Sequence, residues 1–584
     1  MAESRLCIRL FDEYHCPCCA NVGIYCGGQR IWRSYVGETA EIPLEDGAYR
    51  LIIRRGKLYE PIEKDILIVG ATQLSFTLKR LIDPKGLGFY CFDAHSHISR
   101  ARLGKDAVMD MEKMSVRARG EDWNIYFAGT PYDGENHLHV YKRNYPDMPS
   151  YRAHYADLLK RISRSDYLVD PGGEIVKYRY GHMVMANYEE KPPVDEFRDP
   201  LYHSYERDRH VPCVYPPPFV NIPPSRALKK YRDENSFAFF AHPTSWWTLD
   251  RSDSFVTNIA STAAFDGLTG MVDAIVVVGY GADKPWYRQI WYALLDAGYR
   301  ITGIAETDSC GDDPDHLSGK RMMEPFRTYA RCDSLSLNGV SAAVRKGDCF
   351  GTSGPLLDYT LDQHRPGSVI PWEKGKRYHL AMQGWKCCDG ELTEIEIVIN
   401  GKTAARLTPD SRGCVQTDVL LPQEGYVLCI LRDDAGNAAV GNPIYVRNSP
   451  FLNDDFRANI TLDVKRNGRA AKGVYTTDES DVPLAFDGQI SCSINPMSRI
   501  FVTVDGETRE YEPFFDAELQ HHFRYSYSGD FLKDYPECGP GQVPAEAFRI
   551  PQIIARLKQL SATIDFGVTE EFLQKAALLP LDNF

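Results

Sequence analysis

Between residues 89 and 335 short apolar runs alternate with stretches of helical spacing, and several of the runs end on side chains able to bind a metal. No other feature constrains the chain as much. The runs FYCFDAH, WNIYFAG, HMVMANY, SFAFFAHP, DAIVVVGY and RITGIAETD read as strands. DAVMDMEKMSVRARG and PWYRQIWYALLDAGY read as helices, the second stopped by Gly298 as a helix C-cap would stop it. Strand–helix alternation of this length predicts an α/β domain, and a barrel is the form that gathers the strand ends at one rim. A Pro- and charge-rich stretch at 191–225, including Pro216-Pro217-Pro218, interrupts it as a lid or a surface insertion would.

The flanks read differently. Residues 1–88 carry short alternating runs (AEIPL, YRLIIRRG, DILIVG) with turns at Gly27-Gly28 and Asp46-Gly47, which predicts a small β-sandwich. Residues 336–447 return to strands (YHLAMQGW, TEIEIVING, GYVLCILRD) and predict a second sandwich. Residues 448–584 open with β-like runs and are expected to end in two helices, one marked by Ile550, Ile553, Ile554, Leu557 and Leu560 at helical spacing. Four segments suit a chain of 584 residues at roughly 150 per domain.

Composition narrows the function classes. The formal charge of −13 and the lack of a Lys/Arg-rich stripe argue against nucleic acid as a partner. The longest apolar runs, such as Ala274–Val278, fall far short of the roughly 20 residues a membrane helix needs. Glu3, Arg5 and Arg9 interrupt the N-terminus where an export signal needs an apolar core, and the sixteen cysteines are mostly scattered. Reduced thiols and a cytoplasmic location are therefore expected.

The chemistry should lie at the strand ends. These read Asp93-Ala94-His95-Ser96-His97, Glu174 with Gly181-His182, Ala241-His242-Pro243 and Glu306-Thr307-Asp308. Neutral imidazoles and carboxylates suit Zn²⁺, Mn²⁺ or Fe²⁺. A single His-x-His arises by chance, and a strand-end histidine is more often structural than a ligand. Several strand ends that each present one ligand-type residue are harder to dismiss.

The ordered motifs FDAHSH, Glu174 to His182, AHP, WYALLDAGYRITGIAETDS, RTYA and FGTSGPLLDY resemble the CehA/McbA branch of the PHP (polymerase and histidinol phosphatase) metallohydrolase superfamily. The resemblance runs from about residue 30 to 447 and takes in IPLEDGAYRLIIRRG before the α/β region. It implies a multidomain α/β-plus-β protein in which a PHP-like distorted (β/α)7 barrel is flanked by β-sandwich domains. It also implies a metal-dependent hydrolase acting on a small ester, carbamate or amide. Carried over position by position, His95, His97, Glu174, His182, His242 and Asp308 would hold the metal. Asp308 or His182 would accept the proton of an activated water. Arg327 in FRTYA would bind an anionic oxygen, with a structural ion pair as its plainer role. Two departures reduce the expected site to one or two divalent ions. The superfamily's Thr-Asp-His is replaced by FAGTPYDGENH, with Asp133 and His137 as weak substitutes, and the final Asp-x-His reads Asp308-Ser309-Cys310. Cys310 is either a soft ligand or an inert replacement.

Other motifs carry less. HCPCC (His15 to Cys19) with Cys26 lacks the second separated ligand pair of a structural zinc site. Cys387-Cys388 would point to opposite faces of a strand. Trp246-Trp247 with Tyr202, Tyr205 and Tyr215 either line a pocket for an aryl group or sugar ring or pack the insert. Asp312-Asp313-Asp315-His316 reads as a solvated turn. Ser353-Gly354-Pro355 lacks the G-x-S-x-G pattern of a nucleophile elbow. The expected partner is a small-molecule substrate, with homo-oligomerisation open. The alternatives are a phosphoesterase, with Arg100, Arg102 and Arg327 as candidate phosphate ligands, and a carbohydrate-associated binding protein with a degenerate barrel.

Overall fold

The computed structural model describes residues 4–97, 107–129, 157–178, 180–188, 224–248, 255–279, 285–310, 326–527, 530–539 and 541–567. The protein is β-rich and multidomain, with a few helices packed on its sheets. No described helix is long and apolar enough to cross a membrane.

Residues 5–77 form two sheets, one of three strands around Arg5–Phe11 and one of four around Ala20–Cys26. Alternation along Arg5–Phe11 sends Leu6, Ile8 and Leu10 inward against Val22, Ile24, Leu51 and Ile53. Gly27 and Gly28, at φ 57° and 82°, make the tight turn between Ala20–Cys26 and Gln29–Val36, which other residues would adopt only with strain.

Seven strands of the central sheet follow one another in space as Thr302–Glu306, Ala274–Gly279, Phe237–Phe240, Gly181–Ala186, Leu168–Tyr178, Ile125–Gly129 and Phe89–Asp93. Arg327–Arg331 and Cys349–Thr352 continue the path beyond Phe89–Asp93. The strand runs named from sequence all form, as do the helices Ala107–Gly120 and Pro285–Asp296. Gly298, at φ 95°, donates its N–H to Leu295 O at the end of the second helix.

This sheet is strongly curled. Phe92 and Phe237 lie four strands apart, about 19 Å in a flat sheet at the usual strand spacing. Their ring centroids are 5.8 Å apart, and Phe127 touches both edge-to-face at 5.9 and 5.7 Å. The far edges also meet, because Thr328 Oγ1 accepts the Ala305 N–H at 2.9 Å and donates to Ala305 O at 3.0 Å.

Three features differ from the sequence reading. Leu168–Tyr178, which carries Glu174, is a strand, so Glu174 lies within a ladder opposite Val184 rather than at a strand end. Gly181–Ala186 runs antiparallel to both neighbours. Lastly, residue 336 is no break in the sheet, which runs on through Cys349–Thr352 into Ala438–Gly441 and Gly425–Asp433. Asn442 fastens that junction, accepting from Gly303 N and donating to Gly303 O and Cys349 O.

The C-terminal segment is built on an eight-stranded sheet and shares one apolar core with the central region. Phe265 meets Phe514 and Phe523 at 5.2 and 5.8 Å, and the Tyr180 hydroxyl donates to Gln520 Oε1 at 2.9 Å. The expected helix at 550–560 ends at Leu557. Leu560 begins a strand, Leu560–Asp565, that pairs parallel with Ala458–Arg466. Most of the 191–225 insert lies outside the described residues.

Candidate metal centre

His95 leaves the end of Phe89–Asp93 and Asp308 leaves the end of Thr302–Glu306, two carboxyl ends on the same rim of the curled sheet. A two-residue parallel ladder zips the segments that follow, pairing Ser96 with Ser309 and His97 with Cys310. Asp93 folds the first segment back on itself. Its carboxylate accepts the N–H groups of His95 (3.2 Å) and Thr307 (3.3 Å) and the Thr307 hydroxyl at 2.5 Å. Burial pushes the Asp93 carboxyl up to about 7, with the Thr307 hydrogen bond opposing it.

His242 follows Phe237–Phe240, and the antiparallel Gly181–Ala186 brings His182 to the same rim. Because that strand is reversed, its beginning lies where its neighbours end, and Ala241 N donates to His182 O at 3.0 Å. His182, grouped in the sequence with the strand ends and also heading the run HMVMANY, is the second residue of its strand. Its ring meets His242 edge-to-face, with centroids 5.0 Å apart.

The result is a compact, buried donor set. One ligand atom from each of His95, His242 and Asp308 lies within 4.8 Å of the other two. His95 Nε2 is 3.5 Å from Asp308 Oδ1, and His242 Nε2 is 3.9 Å from Asp308 Oδ2. All three residues are at most 1% exposed. His242 and Asp308 hold φ of 23° and 48°, a left-handed backbone that non-glycine residues adopt at a cost. Two imidazoles and a carboxylate are the donor set of a catalytic zinc or iron site with an open position, so these residues fit the expected metal.

Glu306, noted in sequence only as part of a strand-end run, organises the set. Its Oε2 lies 2.6 Å from His95 Nδ1, and its Oε1 accepts the His242 N–H at 2.8 Å. A carboxylate behind a ligating histidine fixes the ring and directs the opposite nitrogen outward. A signal was available: Ile304 packs in the interior, and a period of two puts Glu306 on the same face.

Arg327 stands elsewhere. Thr328 and Ala330 face the interior of the curl, so Arg327 and Tyr329 face out. There the Arg327 guanidinium donates to Glu121 O and pairs with Glu121 Oε2 at 3.3 Å, both residues being 4% exposed at the side chain. Of the two roles weighed for Arg327, this arrangement matches the structural ion pair. The side chains of His97, Glu174, Cys310, Trp246 and Trp247 lie outside the described residues, as do Arg100, Arg102, Asp133, His137, Tyr202, Tyr205, Tyr215 and 312–316 entirely. Among the described residues HCPCC forms no metal-type group: Cys16 is exposed while Cys18 and Cys19 are buried.

No protein-family model matches the sequence, and no curated protein matches it. Among solved structures the chain is similar to BcpA, the major pilin subunit of Bacillus cereus, at 11% identity and a TM-score of 0.11, over 28% of this chain and 65% of that one. It is also similar to the apo form of Bacteroides uniformis beta-glucuronidase 3, at 8% identity and a TM-score of 0.16, over 84% of this chain and 73% of that one. At such TM-scores neither bears on the site.

Proposed function

We propose that the protein is a metal-dependent hydrolase of the CehA/McbA type, with a PHP-like distorted (β/α)7 barrel that cleaves a small ester, carbamate or amide. The convergence of His95, His242 and Asp308 from three strand ends carries this reading. The seven-strand path with one reversed strand, and the meeting of its edges at Thr328 and Ala305, support the barrel.

His95, His242 and Asp308 hold the ion, with His97 and Glu174 as further ligands by the resemblance. A bound divalent ion supplies Lewis acidity and a water of lowered pKa. Glu306 keeps His95 turned with Nε2 toward Asp308 and holds the His242 backbone in its left-handed turn. His182, whose ring meets His242, would be the proton acceptor for such a water. Arg327, one of the three candidate phosphate ligands of the phosphoesterase alternative, is engaged by Glu121.

The test is metal content and hydrolysis together. Purified protein should carry about one or two equivalents of Zn, Mn or Fe and cleave aryl esters or N-methylcarbamates. A chelator should abolish the activity, the metal should restore it, and His242→Ala should lose both. Protein that takes up no metal on incubation with Zn²⁺, Mn²⁺ or Fe²⁺, or activity indifferent to chelation, overturns the reading.

A further inference from the structure

Between the N-terminal sandwich and the central region lies a cavity of about 150 Å³. Its wall joins Cys18 of the HCPCC segment, Arg55 and Arg80 of the sandwich edge, Lys85, and Arg119 and Trp123 at the end of the Ala107–Gly120 helix. At about 30 Å³ per water the space suits roughly five waters or one small ion with its solvation.

Three of the four acids in the wall are already engaged. Asp122 takes Arg55 at 3.0 Å and Arg80 at 2.6 Å. Asp12 accepts the N–H groups of Tyr14 and Cys16, Asp83 accepts that of Lys85, and Asp166 is exposed. Donors remain. Arg55 gives Nη2 to Asp122 and lies against the Cys18 thiol, a weak acceptor, while its Nε and Nη1 are buried with no oxygen acceptor. Trp123 Nε1 is likewise buried with no acceptor, in a residue 2% exposed. Native proteins seldom leave such donors unmatched, least of all on a guanidinium. Burial pushes the Cys18 thiol up more strongly than Arg55 draws it down, so the thiol stays neutral and supplies no competing anion.

We propose that this cavity is a binding site for a small tetrahedral oxyanion, phosphate or sulfate, held by Arg55 from the sandwich and Trp123 from the central region. Lys85 supplies the favourable field, since Arg80 is taken by Asp122 and Glu13 and Arg119 by Glu38. The anion joins the two regions, so its binding stabilises their seam.

The test is calorimetric titration of chelator-treated protein with inorganic phosphate and, separately, sulfate, against chloride of matched ionic strength. Removing metal first keeps an anion at the metal centre from being counted. Either anion should bind once per chain and raise the thermal midpoint. Arg55→Gln should weaken it about tenfold or more, and Trp123→Phe, which keeps an aromatic ring but loses the N–H, about threefold. Lys85→Ala should weaken it more at low salt than at high. If Arg55→Gln fails to fold, Trp123→Phe and Lys85→Ala decide the matter. The proposal falls if neither anion gives saturable binding to the wild type, or if the folded variants bind as it does.

Discussion

His95 Nδ1 and Glu306 Oε2 lie 2.6 Å apart, both side chains fully buried, and the second oxygen of that carboxylate holds the backbone of His242. One side chain outside the donor set therefore positions two of its three members. Replacing Glu306 by Gln keeps the volume and removes the charge that favours Nδ1–H on His95. Metal affinity, read by competition with a coloured chelator, should fall about 10- to 100-fold. The far-ultraviolet circular dichroism should not change. Unaltered affinity in Glu306→Gln would mean that the pair does not prepare a metal ligand.

The contrast between Glu306 and Arg327 shows what the sequence discloses. Strand positions were legible because apolar runs such as AIVVVG are buried on both faces, and the residues after them were legible because strand ends carry the polar side chains. Facing was the harder matter. Arg327 in FRTYA could be read as an anion-binding guanidinium or as half of an ion pair, and only register with Phe89–Asp93 turns it outward toward the second. The reversal of Gly181–Ala186 was equally hidden, since parallel and antiparallel buried strands have the same composition. Shared cores leave no local mark either: nothing in 448–584 indicates that Phe514 will meet Tyr180 and Phe265.

Arg327 and Glu121 give the second prediction. Arg327→Met leaves a buried carboxylate without its cation, which typically costs about 3–5 kcal/mol. Thermal and urea midpoints should drop accordingly, and adding Glu121→Leu should recover most of the loss. Metal content and the turnover of the remaining folded enzyme should not move. A folded Arg327→Met protein of normal stability with a raised KM would return Arg327 to the substrate site.

Phe514 gives the third. It packs on Tyr180, Phe265 and Phe523, joining the C-terminal segment to the residue that precedes the strand Gly181–Ala186. Phe514→Ala should cost about 3–5 kcal/mol. A chain ended at residue 447 should expose this core and aggregate. A soluble 1–447 fragment with the midpoint of the full chain would make the C-terminal segment an independent appendage.

Glu512 carries the pH prediction. Its side chain is 3% exposed and pairs with Arg226 Nη2 at 2.7 Å. Burial nevertheless outweighs Arg226 and pushes its carboxyl from 4.5 up to about 7. Between about pH 4.5 and 7 the folded chain holds a proton at Glu512 that the unfolded chain has released. The unfolded state then binds fewer protons, so stability falls as pH rises through that window and levels off above it. Glu512→Gln has no proton to lose and should lack this part of the slope. Asp93 and Asp266, also raised by burial, tilt both proteins alike, so the difference between wild type and variant isolates Glu512. Urea midpoints at pH 5 and pH 8 should therefore diverge. The variant should gain at pH 8, relative to its position at pH 5, by up to about 3 kcal/mol. Parallel midpoints at the two pH values would show that Glu512 is ionised throughout and that Arg226 fully offsets its burial.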